Sequence, residues 1–150
     1  MAIALEEAAL AVAHDDVPVG AVVLHAGTVI ARRHNERERS NDPSAHAELL
    51  ALRDAADRLG RWRLSDCTLV ATLEPCPMCA GALVASRVGR LVFGAADPKA
   101  GACGSLYNLC SDPRLNHELA TRSGVREAEA SRLLVDFFAT RRMLEGGGEG

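Results

Sequence analysis

Two short stretches, His46-Ala47-Glu48 and Glu74-Pro75-Cys76-Pro77-Met78-Cys79, constrain this chain more than anything else in it. One histidine and two cysteines are three soft-to-borderline metal donors, and 26 residues separate Glu48 from Pro75. A fold that uses them must bring the two stretches together. A closed structural zinc site takes four protein ligands, whereas a catalytic one takes three and leaves the fourth position to water. The structural alternative needs its fourth ligand from Cys67, Cys103, Cys110 or another histidine, and none of these shows paired spacing. Zinc lowers the pKa of bound water from about 15.7 to about 7. With His46, Cys76 and Cys79 as ligands to one Zn2+ per chain, Glu48 is the natural proton carrier beside them.

Hydrophobic periodicity supplies the elements that carry these stretches. Leu5, Ala8, Ala9 and Val12 recur at helical spacing and predict an amphipathic helix over Ala2 to His14. The apolar runs Val19 to His25 and Thr28 to Ala31 flank Ala26-Gly27 and read as a hairpin, with Asn35 closing its second strand. Arg37 to Ser44 reads as a loop, and Ser44 as the cap of a helix striped by Leu49, Leu52, Ala56 and Leu59 and ended by Gly60. His46 and Glu48 fall in its first turn. On a regular helix residues two apart point about 200° away from each other, so spacing alone does not aim both at one metal.

Leu69 to Leu73 predicts a short buried strand leading to Pro75, and Cys76 to Ser86 a helix whose start holds both thiols. The positive end of a helix dipole lowers thiol pKa, which suits thiolate ligands. Arg90 to Ala95 is another strand, followed by a loop from Asp97 to Ser105. A weak strand spans Glu118 to Arg122, and Ala130, Leu133, Leu134, Phe137 and Phe138 stripe a last helix from Arg126 to Met143. Helices alternating with strands predict an α/β protein, a three-layer α/β/α sandwich around a mixed sheet of about five strands.

At 150 residues the chain suits one domain, residues 1–144, able to hide roughly 70% of its unfolded surface. The Gly-rich stretch 145–150 is expected to be a disordered tail. Asp and Glu outnumber Lys and Arg by 20 to 17, so no overall basic charge advertises a nucleic-acid partner. Five cysteines without a disulfide-like framework suit a reducing compartment and a cytoplasmic location. Glu6 and Glu7 interrupt the apolar N-terminus, which therefore reads as neither signal peptide nor membrane span.

The H-x-E…P-C-x-x-C pattern is the signature of zinc nucleobase deaminases. From Asp16-Val17-Pro18-Val19-Gly20 through Val92-Phe93-Gly94-Ala95-Ala96-Asp97 to Asp136-Phe137-Phe138, the chain resembles the bacterial tRNA adenosine deaminases of that cytidine-deaminase-like family. The resemblance implies hydrolysis of the wobble adenosine of an arginine tRNA to inosine. His46, Cys76 and Cys79 match its zinc ligands, Glu48 the proton shuttle, Asn35 a contact to the flipped nucleoside, Asp97 a ribose-contacting acid and Phe138 an aromatic near the anticodon stem-loop. It also implies a homodimer.

Blander readings stand beside these. Asn35 and Asp97 are ordinary turn-forming residues, and Phe137 and Phe138 lie on a packing stripe. Cys67 and Cys110 read as buried thiols, and His14, His25, His34 and His117 as satisfied or surface histidines. Two other functions compete. A deaminase of a free nucleobase or nucleoside would share every metal ligand, and the acidic balance suits it. A non-catalytic zinc-binding partner subunit would be expected to lack the glutamate that Glu48 supplies.

Overall fold

The computed structural model describes residues 1–147. Helix α1 (Ala2–Ala11) runs into a 3-10 turn (Val12–His14), followed by β1 (Gly20–His25), β2 (Thr28–His34), a one-turn helix α2 (Arg37–Ser40) and α3 (Ala47–Leu59). Then come β3 (Cys67–Leu73), α4 (Pro77–Ala85), β4 (Arg90–Ala95), a 3-10 turn at Leu109–Ser111, β5 (Ala120–Arg122) and α5 (Glu127–Gly146). The five strands form one mixed sheet in the order β2-β1-β3-β4-β5. β1 is antiparallel to both β2 and β3, whereas β3, β4 and β5 run parallel. The expected element order and mixed sheet are both present.

Side chains alternate between faces of a strand, and the register turns that alternation into layers. Val22, Val70 and Val92 stand side by side and pack with Ala4 of α1. Their neighbours Val23, Leu69 and Leu91 face the other way, onto Ala51 and Ala55 of α3 and Leu83 of α4. Helix α5 lies on the α1 side, where Ala130 closes against Gly94. The result is the predicted α/β/α sandwich.

The helix faces differ from the predicted stripes. In α1 the buried residues are Ala4, Glu7, Ala8 and Ala11, while Ala9 and Val12 are exposed. A Cβ at Gly20 would stand 1.9 Å from the Ala4 carbonyl oxygen. So close an approach of helix to strand admits only small side chains on the helix face. In α3, likewise, Ala51 and Ala55 are fully buried while Leu49 and Ala56 sit at the rim.

Local differences have local causes. The segment after Asn35 is not all loop, because Asp16 accepts the backbone N–H groups of Glu38 and Arg39 and stabilises α2. Ser44 does not cap α3; its hydroxyl donates to Asp42 Oδ1, and His46 occupies the N-cap. The hairpin turn places Ala26 and Gly27 at φ 49° and 76°, as a two-residue type I′ turn requires. Helix α5 carries through Glu145 and Gly146, the first two residues of the expected tail, and residues 148–150 lie outside the described residues. Among the described residues no helix is long and apolar enough to cross a membrane.

Candidate metal centre

β2 and β3 run the same way, each antiparallel to β1, so the carboxyl ends of β2, β3 and β4 share one edge of the sheet. Open α/β sheets bind ligands outside that edge. Asn35 follows β2, Glu74 to Cys76 follow β3, and Asp97 follows β4, so these three stretches arrive there.

His46 is the N-cap of α3, with extended backbone angles of φ −76° and ψ 146°. It is therefore outside the helical repeat, and the 200° argument does not apply to it. Asn35 Oδ1 accepts the Ala47 N–H at 2.8 Å and pins the residue between His46 and Glu48. Cys76 is the N-cap of α4, with Pro77 in the first helical position where a missing N–H costs no hydrogen bond. Cys79 is fully buried one turn further on. Both sulfurs stand 3.5 Å from His46 Nδ1, and the three donor atoms lie within 4.8 Å of one another. They are positioned to bind one metal ion.

The electrostatics match this donor set. The Cys79 thiol beside Cys76, aided by His46, lowers the Cys76 pKa to about 3, so Cys76 is a thiolate. Cys79, which donates to it, is pushed up, and the same Cys76 thiolate raises His46. The N-termini of α3 and α4 add positive potential at the thiolate. Glu48 is 4% exposed, and burial pushes its carboxyl above the ordinary range, against weaker pulls from its own backbone N–H and His46. Among the described residues, Glu48 Oε1 is the one fully enclosed side-chain oxygen or nitrogen without a hydrogen-bond partner. A buried carboxylate oxygen left unpaired is costly, so its presence beside the three donors fits a site that holds a bound group.

The remaining expected residues separate by role. Asn35 does cap a backbone group, as its blander reading has it, but that bond uses only Oδ1. Asp97 Oδ1 accepts the N–H groups of Lys99 and Ala100, forming the turn the blander reading expects. Phe137 is buried, while Phe138 is 43% exposed and stands edge-on to it at 5.3 Å. Asp97 and Phe138 both line a cavity of about 650 Å³, with Val17, Leu73, Lys99 and Arg142. Cys67 and Cys110 are buried free thiols, and Cys103 is buried beside Cys110.

Glu74 was missed as a functional residue. It is 3% exposed and accepts the backbone N–H groups of Asp97, Cys103 and Ser105, each at 3.1 Å, and the Ser105 hydroxyl. The loop after β4 is thus tied to the segment that carries Cys76. Burial alone would raise the Glu74 pKa, but the Ser105 hydroxyl and the three N–H groups outweigh it and lower the value. The native pKa is depressed, so this anchoring is complete above pH 4.5 and is lost as pH falls through the native value. Glu74→Gln replaces one acceptor by a donor facing N–H groups. It is expected to cost about 2 kcal/mol and to expose the amides of Asp97, Cys103 and Ser105 to hydrogen exchange, with zinc content unchanged. Wild-type protection of those amides would remove Glu74 from this role.

Comparison with known proteins agrees with the geometry. Residues 1–95 match the cytidine and deoxycytidylate deaminase zinc-binding region. The chain is 50% identical over 139 residues to a tRNA-specific adenosine deaminase of Bacillus subtilis, covering 93% of this chain and 86% of the relative. A solved structure from studies of A-to-I editing by tRNA:A34 deaminases at the wobble position of transfer RNA superposes with a TM-score of 0.86 at 44% identity. It covers 89% of this chain and 97% of its own. A guanine deaminase from Nitrosomonas europaea superposes at 0.80 with 28% identity, covering 92% and 82%.

Proposed function

The chain belongs to the cytidine and deoxycytidylate deaminase zinc-binding family, and from that premise we propose that it deaminates adenosine to inosine at the wobble position of a tRNA, an arginine tRNA. The observation that carries the chemistry is the unpartnered Glu48 oxygen beside a three-donor metal set. His46, Cys76 and Cys79 hold the zinc. When bound, the ion supplies an activated water at neutral pH.

Glu48 does the proton transfer. It takes a proton from the attacking water, delivers it to the adjacent ring nitrogen as the C6–O bond forms, and helps protonate the exocyclic amine as the C–N bond breaks. Ammonia leaves, and the product is inosine. Burial favours a carboxyl group that can hold that proton between the two transfers. The target base must leave its stack, which costs least in an anticodon stem-loop whose bases are already unpaired. Asn35 has an amide nitrogen not used in the α3 cap, and it contacts the flipped nucleoside. Phe138 offers a face for a neighbouring base, and Lys99 and Arg142 meet phosphates at the same cavity.

Asp97 is the ribose contact. Its Oδ1 is occupied by two backbone N–H groups, leaving Oδ2 to accept a 2′-hydroxyl that DNA lacks. The wild type should therefore prefer an RNA stem-loop to its deoxy counterpart, and Asp97→Asn should narrow that preference without changing zinc content. Equal processing of both hairpins by the wild type would overturn the assignment.

The protein acts in the cytoplasm as a homodimer. The groove between α3 and α4, lined by Leu49, Ala56, Trp62 and Ala82, supports the dimer, since Trp62 is 60% exposed and large apolar side chains are usually covered. A second reading, deamination of a free purine, is favoured by the likeness to guanine deaminase and by the acidic charge. The higher identity to the tRNA deaminases weighs against it. A non-catalytic partner subunit has no use for a buried, unpaired Glu48.

A further inference from the structure

A second set of metal donors lies away from the His46 site, where the turn after α1 meets the end of β2. His14 Nε2 and His34 Nε2 face each other at 3.2 Å. The opposite nitrogen of each ring is held by a carboxylate. His14 Nδ1 pairs with Asp16 Oδ2 at 2.6 Å and His34 Nδ1 with Glu7 Oε2 at 2.8 Å.

Both carboxylates are buried, Asp16 also accepting the backbone N–H groups of Glu38 and Arg39 and Glu7 the Nε–H of Arg32. An ionised carboxylate only accepts, so each Nδ1 carries the hydrogen it donates. That fixes the tautomer. In a neutral ring that leaves Nε2 as the nitrogen with the free lone pair, and the two Nε2 atoms face each other across a gap that a metal ion can bridge.

We propose that His14 and His34 form a second divalent-metal site, taking a borderline ion such as Zn2+ or Co2+. Two nitrogens on one tetrahedral zinc, at Zn–N of about 2.0–2.1 Å, stand about 3.3 Å apart, close to the spacing here. The ring centroids are 5.2 Å apart and the planes 33° off parallel, closer than two rings aligned head-on at that nitrogen separation. Metal-ligating histidines characteristically donate their other N–H to a carboxylate, and here both do. The side chains are 19% and 13% exposed, so an ion can reach the pair and complete its shell with water.

The ion sits between the two Nε2 atoms, with Asp16 and Glu7 behind the rings and Arg32 as the neighbouring positive charge on Glu7. The occupied pair braces functional segments on two sides. Asp16 holds α2 through two backbone bonds, and His34 directly precedes Asn35, which caps α3.

The test uses the zinc-loaded protein titrated with Co2+ alone. The expected result is one Co2+ per chain taken up without zinc release and without thiolate-to-cobalt absorption. His14→Ala and, separately, His34→Gln should each weaken that uptake at least tenfold while resident zinc is retained. Co2+ uptake unchanged in both variants, or occurring only as zinc leaves, would overturn the site.

Discussion

Glu48→Ala is expected to keep zinc and fold and to lower deamination by about 10²- to 10⁴-fold, or about 3–5 kcal/mol of transition-state stabilisation. The substitution removes the group proposed to move protons and leaves His46, Cys76 and Cys79 untouched. Stability should not fall in parallel, because Glu48 Oε1 has no hydrogen-bond partner to lose. Removing a buried carboxyl group with one oxygen unpaired relieves a desolvation cost, and that relief offsets part of the packing lost with the side chain. Turnover, metal content and thermal midpoint measured on the same preparation separate these effects. A variant within a few-fold of wild-type turnover would take Glu48 out of the mechanism.

Removing the metal should cost more than removing Glu48. With zinc extracted by a chelator, or with Cys79→Ala, deamination should fall below the level of Glu48→Ala. The water pKa then returns from about 7 toward 15.7, and Glu48 alone is too weak a base to compensate. The two interventions differ in reversibility. The chelated wild type keeps both sulfurs 3.5 Å from His46 Nδ1, so zinc added back should restore activity. Cys79→Ala should stay inactive at the same zinc concentration. Activity persisting in the chelated protein would show that the reaction does not need the ion.

Residues that act through local sequence were legible, and those that act across the fold were not. The P-C-x-x-C turn announced itself because Pro77 opens a helix and the two thiols lie one turn apart. The order of strands and helices followed from their periodicity. The buried faces of α1 and α3 did not, because a leucine count overlooks alanine as the residue that permits close approach to the sheet. His46 looked badly aimed only because Ser44 was expected to cap α3. Moving the cap to His46 frees its backbone from the helix and resolves the geometry.

Glu74 did leave a signal, an acid ending the apolar run Leu69 to Leu73, but its partners lie from 23 to 31 residues away and no spacing reveals them. The Asp16–His14–His34–Glu7 chain is similarly non-local. Each histidine, read alone, was ordinary.

Substrate choice separates a tRNA deaminase from a free-base deaminase in a single assay. The zinc-loaded protein is offered an arginine-tRNA anticodon stem-loop, free adenosine, guanine and cytosine in parallel, with released ammonia and inosine in the RNA both quantified. Ammonia is expected from the stem-loop alone, matched one for one by inosine at the wobble position. Rapid release from guanine or another free base, with the stem-loop untouched, would contradict it.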